Sequence, residues 1–132
     1  GNSAYYSPTT DHIQMPPKEA FNSTCGYYGT LYHEALHSSG TKERCNRPSL
    51  LAPNSNRKMY ALDEIIVEFG SVILCHEQKI STIDKLQNSS AYIEHWIEIL
   101  KENKKTILQE ILSQSVEAVN YLKNTGEKKD EK

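Results

Sequence analysis

The chain has 132 residues, 37% of them hydrophobic, with 15 Lys+Arg against 17 Asp+Glu for a net charge of −2. That is one domain's length and enough apolar content for one modest core. No run approaches the ~18 apolar residues of a membrane-spanning helix, and without a basic stripe interleaved with aromatics the near-neutral balance argues against nucleic-acid binding by this domain.

The first twenty residues read as extended structure. Ala4-Tyr5-Tyr6 and His12-Ile13-Gln14-Met15 are short strands joined by the turn chemistry of Ser7-Pro8-Thr9-Thr10-Asp11, and Pro16-Pro17 ends the second. A lone hairpin is marginal, so it must pack on helices or extend a sheet. Asn22-Ser23-Thr24 offers helix N-caps rather than a glycosylation site. Gly26 to His37 then reads as a helix closed by Ser38-Ser39, with Gly40 as a C′ glycine. Residues 41 to 57 form a long polar loop with room for one short turn.

Met59 to about Glu77 is the clearest helix, with Leu62, Ile65, Ile66, Phe69 and Ile73 on one apolar face. Asn88-Ser89 caps another, with Ile93, Trp96, Ile97 and Leu100 inward. The last helix, from about Lys104 to Lys123, turns Ile107, Leu108, Ile111, Val116, Val119 and Leu122 inward, and Gly126 ends it. The reading is therefore a mostly helical α+β domain over 1–125, with a short N-terminal β-hairpin or edge of a small sheet. A charged, disordered tail follows over 126–132. Cys25, Cys45 and Cys75 are odd in number and irregular in spacing, which suits reduced thiols in a cytosolic protein. The N-terminus also lacks the basic and apolar regions of a secretory signal.

The chemistry concentrates in His33-Glu34-Ala35-Leu36-His37. On a helix, positions i and i+4 share a face, so two imidazoles at that spacing can ligate one Zn²⁺ at ~2.0–2.1 Å. Glu34 is placed to reach the metal-bound water and act as general base. The bland alternative is a surface helix with two solvated histidines. His76-Glu77 opens in the same way but has no second histidine.

A catalytic zinc site needs three protein ligands and one open position. Glu43 is one candidate third ligand, standing where an H-E-x-x-H-x-x-G-x-x-H layout would have its last histidine. Glu64 is the favoured one. Glu64 and Glu68 are i, i+4 on a helix whose other face is apolar, and a cation removes the cost of burying a carboxylate there. Glu64 would then bind metal and Glu68 would accept the N–H of His33 or His37. Asp63, about 100° round the helix, is expected to face elsewhere.

Ala4-Tyr5-Tyr6-Ser7-Pro8, Asp11-His12-Ile13-Gln14-Met15-Pro16 and the run from Gly26 to Gly40 resemble the zincin-like C-terminal domain of ArdC-type antirestriction proteins. So do the run from Tyr60 to Gly70 and Ala91-Tyr92-Ile93-Glu94-His95-Trp96. The resemblance implies a zincin-like α+β fold, a bound metal, a bacterial cytoplasmic setting and an origin on mobile elements. It also implies a separate N-terminal domain that binds single-stranded DNA, so that this domain itself needs no nucleic acid and no membrane. Ser38-Ser39 depart from the bulky aromatic and Thr often found there, which leaves cleft specificity open.

The expected function is a zinc-dependent metallopeptidase acting on a peptide or protein substrate. His33, His37 and Glu64 would hold the zinc and Glu34 would serve as base. The alternative is a non-catalytic, zinc-containing docking module acting in antirestriction. Tyr28, Tyr32 and Tyr60 lie near the motifs, but the sequence does not fix their directions.

Overall fold

The structure, a computed structural model, describes residues 3–78, 90–91, 94, 98 and 104–130. The core of the helix expected after Asn88 and Ser89, including Ile93, Trp96, Ile97 and Leu100, lies outside the described residues.

Strands β1 (Tyr5–Ser7) and β2 (His12–Gln14) form an antiparallel hairpin, with Tyr5 opposite Gln14 and Ser7 opposite His12. Its turn requires a left-handed residue, and Asp11 supplies it at φ 51°; a short polar side chain tolerates that conformation better than most. The hairpin packs on helix α1 (Thr24–Ser38). Ser23 caps α1, its Oγ accepting from the Gly26 N–H at 2.9 Å. The loop that follows carries one short helix, α2 (Pro48–Leu51), with proline in its first turn, where a missing N–H is harmless.

Helix α3 (Arg57–Glu77) starts at Asn56, whose side chain accepts from the Met59 N–H. It is buried on more than one side, because α1 and the final helix, α4 (Lys104–Asp130), pack against it from different directions. Ile65 and Ile66 meet Ile107 and Ile111, while Val67 and Leu74 meet Leu36, Ala118 and Val119. Two buried serines tie the layers. Ser71 donates to the Gly29 carbonyl of α1 at 3.0 Å, and Ser115 of α4 donates to the Ile66 carbonyl at 2.9 Å. Gly70 permits the close approach of α1 to α3: a Cβ there would stand 2.9 Å from a Leu36 methyl.

Three expectations change. Helix α4 continues past Lys123 and through Gly126 to Asp130; an interior glycine costs only about 1 kcal/mol relative to Ala and does not by itself stop a helix. Val116 is exposed, whereas Ile107, Ile111, Ser115, Ala118 and Val119 of α4 are buried and Leu122 packs against the core as expected. Gly40 has no positive φ, so it is not a left-handed helix cap. No helix among the described residues is long and apolar enough to cross a membrane.

Candidate metal centre

The last two turns of α1 and the middle of α3 face one another. The i, i+4 spacing brings the rings of His33 and His37 to 4.9 Å, edge to face. From α3 come Glu64 and Glu68, one turn apart. His33 Nε2 lies 3.1 Å from Glu64 Oε2, and His37 Nε2 lies 3.3 Å from Glu64 Oε1. Both Nε2 atoms thus converge on one carboxylate. The other ring nitrogens are held by different acids: His33 Nδ1 is 2.9 Å from Glu68 Oε2, and His37 Nδ1 is 2.6 Å from Asp63 Oδ2. One donor atom each from His33, His37 and Glu64 lie within 4.8 Å of one another, a group that could hold a metal ion.

Asp63 does not face elsewhere. It is buried, and besides His37 it receives Arg47 Nε at 2.6 Å and Ser49 Oγ at 2.7 Å on Oδ1. Apolar periodicity alone gives α3 one inward face. Because α1 and the α2 loop both cover it, the 100° between Asp63 and Glu64 separates two inward directions. Arg47 and Ser49 sit in a polar loop without periodicity, so no pattern marks them. The Arg47-Pro48 helix start is the only local cue.

Charge bears on what the site accepts. Asp63, Glu64 and Glu68 are all buried, and among the described residues the buried guanidinium is Arg47. With neutral imidazoles the three carboxylates and the Arg47 guanidinium sum to −2, and buried charge of one sign is costly in a low-dielectric interior. Protons on the two rings, or a divalent cation beside them, each offset that charge. Without a cation the rings respond. Burial pushes His37 down, but hydrogen bonds to Asp63 and Glu64 outweigh it and lift its pKa to about 9. His33 is raised in the same way, burial being outweighed by Glu64 and Glu68. Burial pushes Asp63 up, and His37 and Arg47 bring it down to about 2. Glu64 ends well below the ordinary carboxylate range, its burial outweighed by the two rings. A mixed nitrogen and oxygen donor set of this kind suits borderline ions such as Zn²⁺ and harder ones such as Mn²⁺.

The group opens onto a cleft of ≈ 410 Å³. Tyr5 and Tyr6 of the hairpin, Tyr60 of α3, and His33, Glu34 and Glu64 are among the residues that line it. Tyr60 has its hydroxyl pushed up by burial and by the charge of Glu64. Tyr28 instead meets Tyr27 edge to face and Tyr32 at a tilt, in an aromatic row along α1, and neither Tyr28 nor Tyr32 lines this cleft. Glu43 is exposed on a second cleft with Asp11, Lys42 and Arg44 and does not join the histidines.

The family model described as zincin-like metallopeptidase matches residues 1–111. The uncharacterized protein y4eC of Sinorhizobium fredii is 36% identical over 107 residues, 81% of this chain and 34% of its own length. A DNA primase TraC of Escherichia coli is 37% identical over 106 residues, 80% of this chain and 10% of its own. Among solved structures, the Mn(II)-bound antirestriction ArdC protein from the R388 plasmid superposes with a TM-score of 0.71 at 37% identity, covering 92% of this chain and 44% of that one. Its metal-free form gives 0.67 at 38% identity, covering 92% and 42%. The chain therefore spans about a third of the first relative, a tenth of the primase and under half of ArdC.

Proposed function

Since the chain belongs to the zincin-like metallopeptidase family, we propose that it is a metal-dependent peptidase unit of a longer antirestriction-type protein of the bacterial cytoplasm. In this reading His33, His37 and Glu64 hold a divalent ion, zinc by the family's habit or manganese by likeness to the Mn(II)-bound ArdC structure. Such an ion supplies Lewis acidity, acidifying a water toward a pKa of ~7 and polarising a carbonyl. Glu34 accepts the proton of the attacking water and returns it to the departing amine. Glu68 and Asp63 keep the two rings turned so that Nε2 faces Glu64.

The substrate is a peptide in extended form. Ala4, Tyr5, Tyr6 and Pro8 line the cleft and no residue of β2 does; among the described residues β1 pairs with β2 alone, so its outer edge can receive a strand. The domain itself binds neither nucleic acid nor membrane; any dealing with DNA falls to other parts of the longer protein.

The observation that carries the reading is the convergence of both Nε2 atoms on Glu64 while both Nδ1 atoms rest on other carboxylates. A docking module with a purely structural metal is the alternative. Closed structural sites use four protein donors, and among the described residues this group has three, beside an open cleft.

The test is Glu34→Gln on metal-loaded protein against a library of unstructured peptides. Cleavage by the parent and a loss of at least about a hundredfold in the variant, with metal content unchanged, is the expected result. Equal cleavage by both, or none by the loaded parent, contradicts it.

A further inference from the structure

Gly40 follows the second histidine by three positions, and its backbone is one that any residue adopts. Conformational freedom is therefore not why glycine stands there. A Cβ at Gly40 would lie 2.8 Å from Arg47 Nη2, 2.9 Å from Arg47 Cζ and 2.8 Å from Leu50 Cβ. The space left by the missing side chain is the space in which a guanidinium lies.

That guanidinium is buried and every nitrogen is used. Nε donates to Asp63 Oδ1 at 2.6 Å, Nη1 to Ser39 Oγ at 3.0 Å, and Nη2 to the Leu36 carbonyl at 3.0 Å and to Asp63 Oδ2 at 3.4 Å. A planar fork fixes orientation as well as charge. It joins the end of α1, the start of α2 and the acidic face of α3. With Oδ1 of Asp63 also receiving Ser49, the carboxylate has little freedom to rotate, and its Oδ2 meets His37 Nδ1 at 2.6 Å.

From this geometry we infer that Arg47, lodged in the space that Gly40 leaves, is a positioning residue of the metal centre: it locks Asp63, and Asp63 locks the ring of His37 with Nε2 turned toward Glu64. The consequence for metal binding rests on the proposed function. The lock itself belongs to the metal-free protein. His33 is braced by a separate carboxylate, Glu68, so the two rings can be told apart.

The experiment uses nitrogen-15 histidine labelling and a Zn(II) titration of the full chain. In the parent, the Nδ1–H protons of His33 and His37 both give downfield, slowly exchanging signals. Arg47→Lys keeps a positive charge and loses the fork. It should lose the His37 signal, keep the His33 signal, and bind Zn(II) about ten- to a hundredfold more weakly. Gly40→Ala displaces the guanidinium without removing it and should shift both readouts in the same direction. The double variant should be no worse than the poorer single, because both act on one group.

If Arg47 serves stability alone, the melting temperature falls while both ring signals and the Zn(II) affinity stay in place; that result overturns the inference. Should Arg47→Lys fail to fold, Gly40→Ala decides by the same two readouts. Should the parent bind no Zn(II), the metal reading falls and the His37 signal alone decides the lock.

Discussion

Two arginines on one loop each hold an aspartate, and the two pairs do different work. Arg47 and Asp63 have side chains only 3% and 4% exposed, and Asp63 also meets His37 of the candidate metal group. Arg44 and Asp11 have side chains 29% and 49% exposed. Arg44 forks onto both Asp11 oxygens at 2.9 and 2.7 Å and also donates to the Ser38 carbonyl, while the Tyr6 hydroxyl donates to Asp11 at 2.6 Å. The outer pair pins the hairpin turn to the end of α1, beside the cleft that Tyr6 lines. The chemistry is the same in both. What differs is the solvent, which screens the outer charges and is absent around the inner ones. On the inference drawn above, the inner pair sets how the site is built, while the outer pair sits at one cleft wall.

The comparison is broken most severely by Arg47→Met. It leaves Asp63 buried without its guanidinium and should cost about 3–5 kcal/mol, read as a fall in the denaturant midpoint at unchanged slope. A loss no larger than that of a surface substitution would show that the inner network is not a buried ion pair in solution.

Next in size is the response to pH. The raised pKa of His37, about 9, means that its pairing stabilises the metal-free fold fully below its ordinary value of ~6.5 and that this contribution is lost as pH rises through about 9. Melting temperatures of metal-free protein should therefore fall between pH 7 and 9.5. Metal must displace ring protons, so affinity should rise over the same range, with protons released on binding in calorimetry across buffers of different ionisation heat. Affinity independent of pH would contradict the placement of the ion between the two rings.

The smallest effect is expected from Arg44→Met. It should lower stability less than Arg47→Met does, and the difference from the parent should vanish in 1 M salt, because an exposed pair is screened. Hydrogen exchange in residues 5–14 should quicken. Metal affinity should stay within about twofold of the parent, since the pair lies outside the group that could hold the ion.

This contrast also explains what was legible in the sequence. Helical spacing alone pairs His33 with His37 and Glu64 with Glu68, and apolar periodicity marks α3 as the element that must be buried. These are local regularities, and the structure turns the two pairs toward one another. The resemblance to ArdC-type domains added the zincin-like fold, which the family match and the superposition support. The inward turn of Asp63 is not legible from periodicity, because a helix wedged between two neighbours has no single inward face. Arg47 and Arg44 look alike in a loop of mixed polarity, and only the chain's return over α3 sends one inside and leaves the other out. Gly40 reads as the C′ glycine that ends a helix, but a Cβ there would meet the guanidinium of Arg47, seven positions later. Val116 shows the converse limit, an apolar residue on a helix that nonetheless faces outward.

The most direct test is the metal stoichiometry of three proteins, each stripped and then titrated with Mn(II) and with Zn(II). The account predicts one ion per chain for the parent and for Glu43→Ala, and a loss of more than about a hundredfold in affinity for Glu64→Ala. Retention of metal by Glu64→Ala together with its loss from Glu43→Ala would contradict the centre described above.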